Sequence, residues 1–255
     1  MVRPKKHLGQ HFLRDENIAR KIIASLSDDT ENIVEVGPGT GVLSKYLLEN
    51  PKLNPFFFEI DREAAEYLER NFPGMAGRLV EQDFLKEDLS IIPAPFTVIG
   101  NFPYNISSQI LFRVLDYRNS IPEVIGMFQK EVAERIASPP GSKKYGILSV
   151  LLKAWFDIEF LFTVNESVFY PPPKVKSAVI RLQRNQVEKL DCDEENFFLT
   201  VKTAFNQRRK TLRNALKGMI PAGKKPSQGI QTLLDKRAEQ LNVSEFVNLA
   251  RYLES

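Results

Sequence analysis

The run Val98-Ile99-Gly100-Asn101-Phe102-Pro103-Tyr104 ends an apolar stretch in Asn-Phe-Pro-Tyr. A strand there delivers an amide, a rigid backbone carbonyl and an aromatic ring to one point. An exocyclic amine on a nucleobase needs those three groups. Its lone pair is delocalised into the ring, so it is a poor nucleophile until something reorients it. The Asn101 side-chain oxygen and the Pro103 carbonyl can accept its two N–H bonds while Tyr104 stacks on the base face. That arrangement aims a pyramidal nitrogen at an electrophilic carbon without a strong general base. Four residues alone are equally a strand followed by a proline turn, and the rest of the chain must decide.

Three further stretches place polar groups in the same way. Ile33–Val36 reads as a strand and runs into Gly37-Pro38-Gly39-Thr40-Gly41, with an apolar helical stretch after it. Glycines at 37, 39 and 41 let the backbone pass close under a nucleotide where a Cβ would collide. The spacing is G-x-G-x-G, not the G-x-G-x-x-G of a dinucleotide site, which counts against NAD. The next strand, Phe56–Ile60, carries Glu59 roughly 20 residues beyond the glycines, where a ribose diol is held. A third ends in Glu81-Gln82-Asp83-Phe84, and its Asp83 could accept a hydrogen bond from an adenine amino group. Acids at strand ends are often only solvated turn residues. Four consecutive strands pointing chemistry at one rim are harder to dismiss.

The elements that position these groups follow a regular alternation. Strand candidates are Ile33–Val36, Phe56–Ile60, Leu79–Val80, Phe96–Ile99, Val124–Phe128, Phe160–Val164 and Ala178–Leu182. Helical stretches such as Gly41–Leu48, Arg62–Asn71, Ser107–Leu115 and Tyr145–Phe156 lie between them. The pattern predicts an α/β fold with a mostly parallel sheet covered by helices on both faces. The last two strands follow each other without a helix, which predicts an antiparallel edge. Near Arg184–Glu195 the composition turns polar and then reads as short helices with Pro and Gly breaks. This predicts two domains, 1–185 and 186–255, the second small and helical.

Composition narrows the partners. The chain has 255 residues, 43% apolar and 26% charged, as in ordinary globular proteins. No stretch approaches the roughly 20 apolar residues of a membrane span. The first residues lack an apolar signal core and Cys192 is the single cysteine, so a reducing, cytoplasmic setting is expected. The net charge of +3 conceals an asymmetry: residues 1–14 carry four Lys/Arg and no acid, residues 201–225 carry eight and no acid, and the remainder is net acidic. Two basic blocks on an acidic body point to a polyanion held at specific places.

Taken together, these residues resemble the ribosomal RNA adenine N6-dimethyltransferases, which use S-adenosylmethionine. The likeness covers nearly the whole chain. It runs from Lys5-Lys6-His7-Leu8-Gly9-Gln10-His11-Phe12-Leu13 through Glu35–Gly41, Glu59, Asp83 and Asn101–Tyr104. It continues in Val168-Phe169-Tyr170-Pro171-Pro172-Pro173-Lys174-Val175 and Phe205-Asn206-Gln207-Arg208-Arg209-Lys210-Thr211-Leu212-Arg213-Asn214. The resemblance implies a Rossmann-like class I methyltransferase sheet. It implies that His11, Leu13 and Gly37 meet the methionine end of the cofactor, with Gly39 and Gly41 in the same turn. Glu59 would take the ribose hydroxyls and Asp83 the adenine amino group, while Asn101 would stand at the transfer point. Phe169 would be the second ring of a sandwich with Tyr104 around a flipped adenine. Phe102 replaces the family's usual Leu and His11 its common Asn; neither change removes a polar group the chemistry needs. Within the family, the triple proline, the Gln207–Asn214 signature and the C-terminal domain resemble the small-subunit branch. That branch dimethylates two adjacent adenosines near the 3′ end of 16S rRNA, on the rRNA or the assembling small subunit.

Lys5, Lys6, Arg208, Arg209, Lys210, Arg213 and Lys217 are the candidate phosphate contacts. Arg208–Met219 reads as an amphipathic helix with Leu212, Leu216 and Met219 on one face and the cations beside it. His7 and His11, four apart across Leu8-Gly9-Gln10, lack the partners of a metal shell, so no metal is expected. Trp155 and the Phe156–Phe162 cluster read as core, and the chain as a monomer. Three other readings stay open: a large-subunit methyltransferase of the macrolide-resistance type, a mainly non-catalytic ribosome assembly factor, and a DNA adenine methyltransferase.

Overall fold

Short unbroken runs of Val, Ile and Phe suit strands covered on both faces, as in a parallel sheet. A computed structural model describes residues 2–254; Met1 and Ser255, the outer limits of the two expected domains, lie outside the described residues. The strands are β1 (Phe12–Leu13), β2 (Asn32–Val36), β3 (Asn54–Phe58), β4 (Leu79–Val80), β5 (Phe96–Asn101), β6 (Glu123–Gln129), β7 (Phe156–Val164), β8 (Phe169–Tyr170) and β9 (Ser177–Arg184). Seven form one sheet in the order β4-β3-β2-β5-β6-β9-β7, and β1 pairs with β8 in a separate ribbon. From β4 to β6 the strands run parallel, with Val34 level with Phe56 on one side and Val98 on the other. β9 lies antiparallel against β6, Phe128 opposite Ala178, and β7 lies outside it. This is the mostly parallel sheet with an antiparallel edge that the alternation predicts.

Strand order reverses between β2 and β5. The loops after their carboxyl ends therefore diverge and open a crevice, the place where open α/β sheets bind ligands. β3 stops at Phe58, so Glu59 stands just past the strand rather than inside it.

The helices are α1 (Glu16–Ile23), α2 (Ser44–Glu49), α3 (Arg62–Asn71), α4 (Ser107–Asp116), α5 (Lys130–Ala137), α6 (Ile147–Lys153), α7 (Glu194–Asn206), α8 (Leu212–Ala215), α9 (Gln228–Asp235) and α10 (Val243–Leu253). Asp15 caps α1 by accepting the Asn17 and Ile18 N–H groups, and Asp61 caps α3 through Glu63. Among the described residues, no helix is long and apolar enough to cross a membrane.

The chain forms two compact units. The first runs to Ala133 and resumes over Ile158–Arg184; the second comprises Glu134–Asp157 and the chain from Asn185 onward. Segment 134–157 thus lies in the second unit, whereas composition alone suggests one break at 185/186. Aromatic packing is the reason. Trp155, fully buried, meets Phe197 at 6.0 Å and Phe198 at 5.7 Å, and Tyr145 meets Phe205 at 6.2 Å. Rings of this size dominate the burial of a small core, so the segment that carries them goes with α7.

Two expected elements differ. Trp155 and Phe156 are core, but Phe160 is 37% exposed and Phe162 half-buried, because β7 is the outermost strand. The helix expected over Arg208–Met219 is instead a turn, the single-turn α8 and a 3₁₀ turn at Lys217–Met219. Thr211 is extended, and the Leu212 N–H donates to the Lys236 carbonyl at 2.8 Å rather than back along a helix. Burial of Leu212, Ala215 and Leu216 survives the break.

Candidate active site

After β2 the chain turns at once through Gly37, Gly39 and Gly41, all at positive φ. A Cβ on Gly39 (φ +59°) would stand 2.8 Å from the Phe12 ring, and one on Gly41 (φ +81°) 2.5 Å from Phe72. No other residue fits those two positions without moving an aromatic ring. The Gly37 N–H donates to the Phe58 carbonyl at 2.9 Å and the Gly39 N–H to Glu59 Oε2 at 3.0 Å, tying the turn to the end of β3.

Glu59 is 3% exposed, and its other oxygen accepts the Asp61 N–H at 2.9 Å. Burial pushes its carboxyl above the ordinary range, against the pull of those two N–H donors. Glu35, behind it on β2, is also buried and accepts the Ser44 hydroxyl at 2.7 Å. Desolvation pushes the Glu35 carboxyl up to about 8. Asp83 accepts the Leu85 N–H at 3.0 Å and stays partly open to solvent.

Asp61 anchors the basic N-terminal segment. Its side chain is fully buried; one oxygen meets the Lys5 ammonium and the other accepts Gln10 Nε2–H at 3.0 Å. Burial by itself would raise this carboxyl, but the hydrogen bonds from Lys5 and Gln10 and the Lys5 charge outweigh it and hold it below the ordinary range. The segment therefore lies as a strap against the glycine turn. At its far end the His11 carbonyl accepts Asn101 Nδ2–H at 2.7 Å. That bond orients the amide and leaves Oδ1, which takes no hydrogen bond among the described residues, as the available acceptor. The Pro103 carbonyl accepts the Ile106 N–H at 3.2 Å and keeps a second lone pair. Tyr104 Oη and Ser177 Oγ are 2.6 Å apart, and burial raises the phenol against that bond.

One cavity of about 230 Å³ is lined by His11, Gly37, Gly39, Glu59, Asp83, Asn101, Pro103 and Tyr104, with Gln10, Ile60 and Phe84 among the others. Two acids, apolar walls at Ile60 and Phe84, and bare backbone at Gly37 and Gly39 suit a nucleoside-bearing cofactor. Leu13, Gly41 and Phe169 do not line this cavity. Gly41 shapes the turn, while Leu13 and Phe169 pair across the β1–β8 ribbon and are each 3% exposed in the core. The ring that lies across Tyr104 is His11, at 5.2 Å between centroids and 31° between planes.

Comparison with known proteins supplies the family: a model described as ribosomal RNA adenine dimethylase matches residues 1–255. The chain belongs to the ribosomal RNA adenine dimethylase family. Two of its relatives, from Parabacteroides distasonis and Cytophaga hutchinsonii, are named ribosomal RNA small subunit methyltransferase A. The first is 55% identical over 98% of this chain and 93% of its own; the second is 55% identical over 99% and 98%. Among solved structures, the 23S rRNA methyltransferase ErmE is 26% identical, covers 93% of this chain and 98% of its own, and superposes with a TM-score of 0.62. A dimethyladenosine transferase from Plasmodium falciparum, 24% identical, shares the fold at a TM-score of 0.78 over 94% of this chain and 96% of its own. The sheet is thus that of a class I methyltransferase, and the protein is an rRNA adenine dimethyltransferase.

In this dimethylase, Asp61 and Gln10 are site-building residues that sequence reading missed. An acid opening a helix reads as a cap, and nothing in the spacing links it to Lys5, 56 residues away. The candidate phosphate contacts differ in availability. Lys5 is committed to Asp61, while Lys6 is exposed. Arg208 donates to the Lys143 carbonyl at 2.6 Å, and Arg213 holds Asp235 through two nitrogens at 3.0 and 2.7 Å. Arg209, Lys210 and Lys217 are exposed and make no side-chain ion pair among the described residues.

Proposed function

We propose that this chain transfers methyl groups from S-adenosylmethionine to N6 of two adjacent adenosines near the 3′ end of 16S rRNA, as a cytoplasmic monomer acting during small-subunit assembly. One observation carries the reading at the level of chemistry. Asn101 Nδ2 is committed to the His11 carbonyl at 2.7 Å, so Oδ1 is presented as an acceptor. An adenine N6 has two N–H bonds to give; Oδ1 takes one and the spare lone pair of Pro103 the other. Tyr104 offers its face to the base. The amine is thereby held with its lone pair out of conjugation, which is the activation it needs.

When bound, S-adenosylmethionine supplies a methyl group on a sulfonium, a leaving group that needs no acid. Glu59 would take the ribose hydroxyls and Asp83 the adenine amino group, and His11 and Gly37 would surround the methionine end, with Leu13 packed in the core behind them. Phe169, packed in the core with Leu13, backs the β1–β8 ribbon, whose Phe12 lines the cavity. Lys6, Arg209, Lys210 and Lys217 meet RNA phosphates, with Lys5, Arg208 and Arg213 contributing charge from within their ion pairs and hydrogen bonds.

The choice of small-subunit RNA is supported by relatives of that name at 55% identity, against 26% for the 23S enzyme. The test is methyl transfer from radiolabelled S-adenosylmethionine to unmethylated small-subunit particles, with large-subunit RNA as control and nucleoside analysis of the product. N6,N6-dimethyladenosine in the small-subunit sample alone is expected. Label in the large-subunit RNA, or in neither, would overturn the reading.

A further inference from the structure

The β1–β8 ribbon sets Leu13 opposite Phe169 and Phe12 opposite Tyr170. The first pair enters the core, and Tyr170 is left 44% exposed. The guanidinium of Arg14 lies over its ring, 4.1 Å from the centroid. Arg14 is exposed and makes no ion pair among the described residues. Two other tyrosine-facing cations are tied down: Lys45, over Tyr46, is held by Glu16, and Arg113, over Tyr117, donates to the Glu87 carbonyl at 2.5 Å; Arg20 faces Tyr46 from farther off, at 5.5 Å. Arg14 on Tyr170 is a planar cation with its outer side unclaimed.

The backbone beneath this pair is fixed to the cavity. The Arg14 N–H donates to the Val168 carbonyl at 2.8 Å, and His11 Nδ1–H donates to the Pro171 carbonyl at 2.7 Å. Tyr170 is therefore one residue from a carbonyl bound to the ring that lies across Tyr104. Residues 2–14 and 167–177 contain no acid, although Asp15 and Glu166 adjoin them, and Lys174 and Lys176, four and six residues beyond Tyr170, are exposed.

We infer that Arg14 and Tyr170 form a stacking platform for the unpaired nucleotide next to the target adenosine, with Lys174 and Lys176 meeting its phosphates. The inference rests on the proposed function: a base held at Asn101 has a covalently attached neighbour, and that neighbour must lie close outside the cavity. Unpaired bases are recognised by stacking on aromatic rings and guanidinium planes, and this surface layers one on the other. A polyanionic partner suits the excess of cations in these two segments.

The test measures steady-state methylation of unmethylated small-subunit particles by the full chain and by Tyr170→Leu, Tyr170→Phe and Arg14→Gln, with S-adenosylmethionine binding measured separately. Tyr170→Leu should raise the KM for particles on the order of tenfold, the loss of one stacked base, with cofactor affinity unchanged. Tyr170→Phe should stay near the unaltered protein. Arg14→Gln should raise KM and flatten its salt dependence. A particle KM for Tyr170→Leu within about twofold of the unaltered protein would overturn the platform while leaving the function intact. So would a loss of cofactor affinity that accounts for the change, since that marks a merely structural tyrosine. If Tyr170→Leu fails to fold, Arg14→Gln decides. No label from the unaltered protein would overturn the function and the platform together.

Discussion

Asn101 Nδ2 and the His11 carbonyl oxygen stand 2.7 Å apart across 90 residues of sequence, so the amide at the end of β5 is oriented by the N-terminal strap. The acceptor offered to substrate therefore depends on a donor offered to backbone. Asn101→Ala should lower methyl transfer on the order of 10²–10³-fold, the scale seen when one preorganised polar contact is lost. Cofactor affinity should change little. Asn101→Asp should fare no better, because a carboxylate cannot donate to the His11 carbonyl. Single-turnover assays with separately measured cofactor binding check both, and normal turnover by either variant would refute the positioning role.

The strap is held through Asp61, which joins Lys5 and Gln10 two residues past Glu59. Lys5→Met should weaken cofactor binding several-fold by loosening the segment that lines the cavity. Asp61→Asn should do the same while keeping the cap of α3, since Asn caps as well as Asp. The double variant should be no worse than the singles, because the two residues act through one contact. Asp61 lies below the ordinary carboxylate value of 3.8 in the fold, so its contribution is present above that pH and disappears as pH falls below it. Additive effects in calorimetric titration would show that the two act separately.

Glu35 predicts the opposite pH response. Its folded carboxyl sits at about 8 against an ordinary 4.5. The folded state therefore binds more protons than the unfolded state between those values, and stability declines as pH rises through that window. The slope attributable to this group approaches about 1.4 kcal/mol per pH unit. Glu35→Gln keeps an acceptor for Ser44 and removes the charge, so its denaturant midpoint should fall less between pH 6 and pH 8.5. Parallel curves for the two proteins would rule out Glu35 as the source.

The basic residues of the second unit should not be equivalent. Arg209→Ala or Lys210→Ala should each reduce the slope of log affinity against log salt by about one in particle binding. Arg213→Ala should reduce it less, because Asp235 already neutralises that guanidinium at 2.7 Å. A larger effect from Arg213 than from Arg209 would mean that the ion pair opens on RNA.

Much of the site is legible in the chain because it is written in local rules. Strand periodicity, glycines that tolerate positive φ, acids following strands β3 and β4, and Asn-Phe-Pro-Tyr after β5 each depend on a few neighbouring residues. The parallel sheet then brings them to one rim without further instruction. By itself, then, the sequence determined the sheet, its chemical rim and the family. Tertiary structure decided the rest. It buried Phe169 with Leu13 and left Tyr170 outside, because the β1–β8 register assigns the two rings to opposite faces. It moved segment 134–157 into the second unit through Trp155 and Tyr145, and it broke the helix expected over Arg208–Met219 at the extended Thr211, where Leu212 found the Lys236 carbonyl. It closed the strap by pairing Lys5 with Asp61. Each of these outcomes turns on partners distant in sequence, whose contacts outweigh local preference and which no local pattern announces.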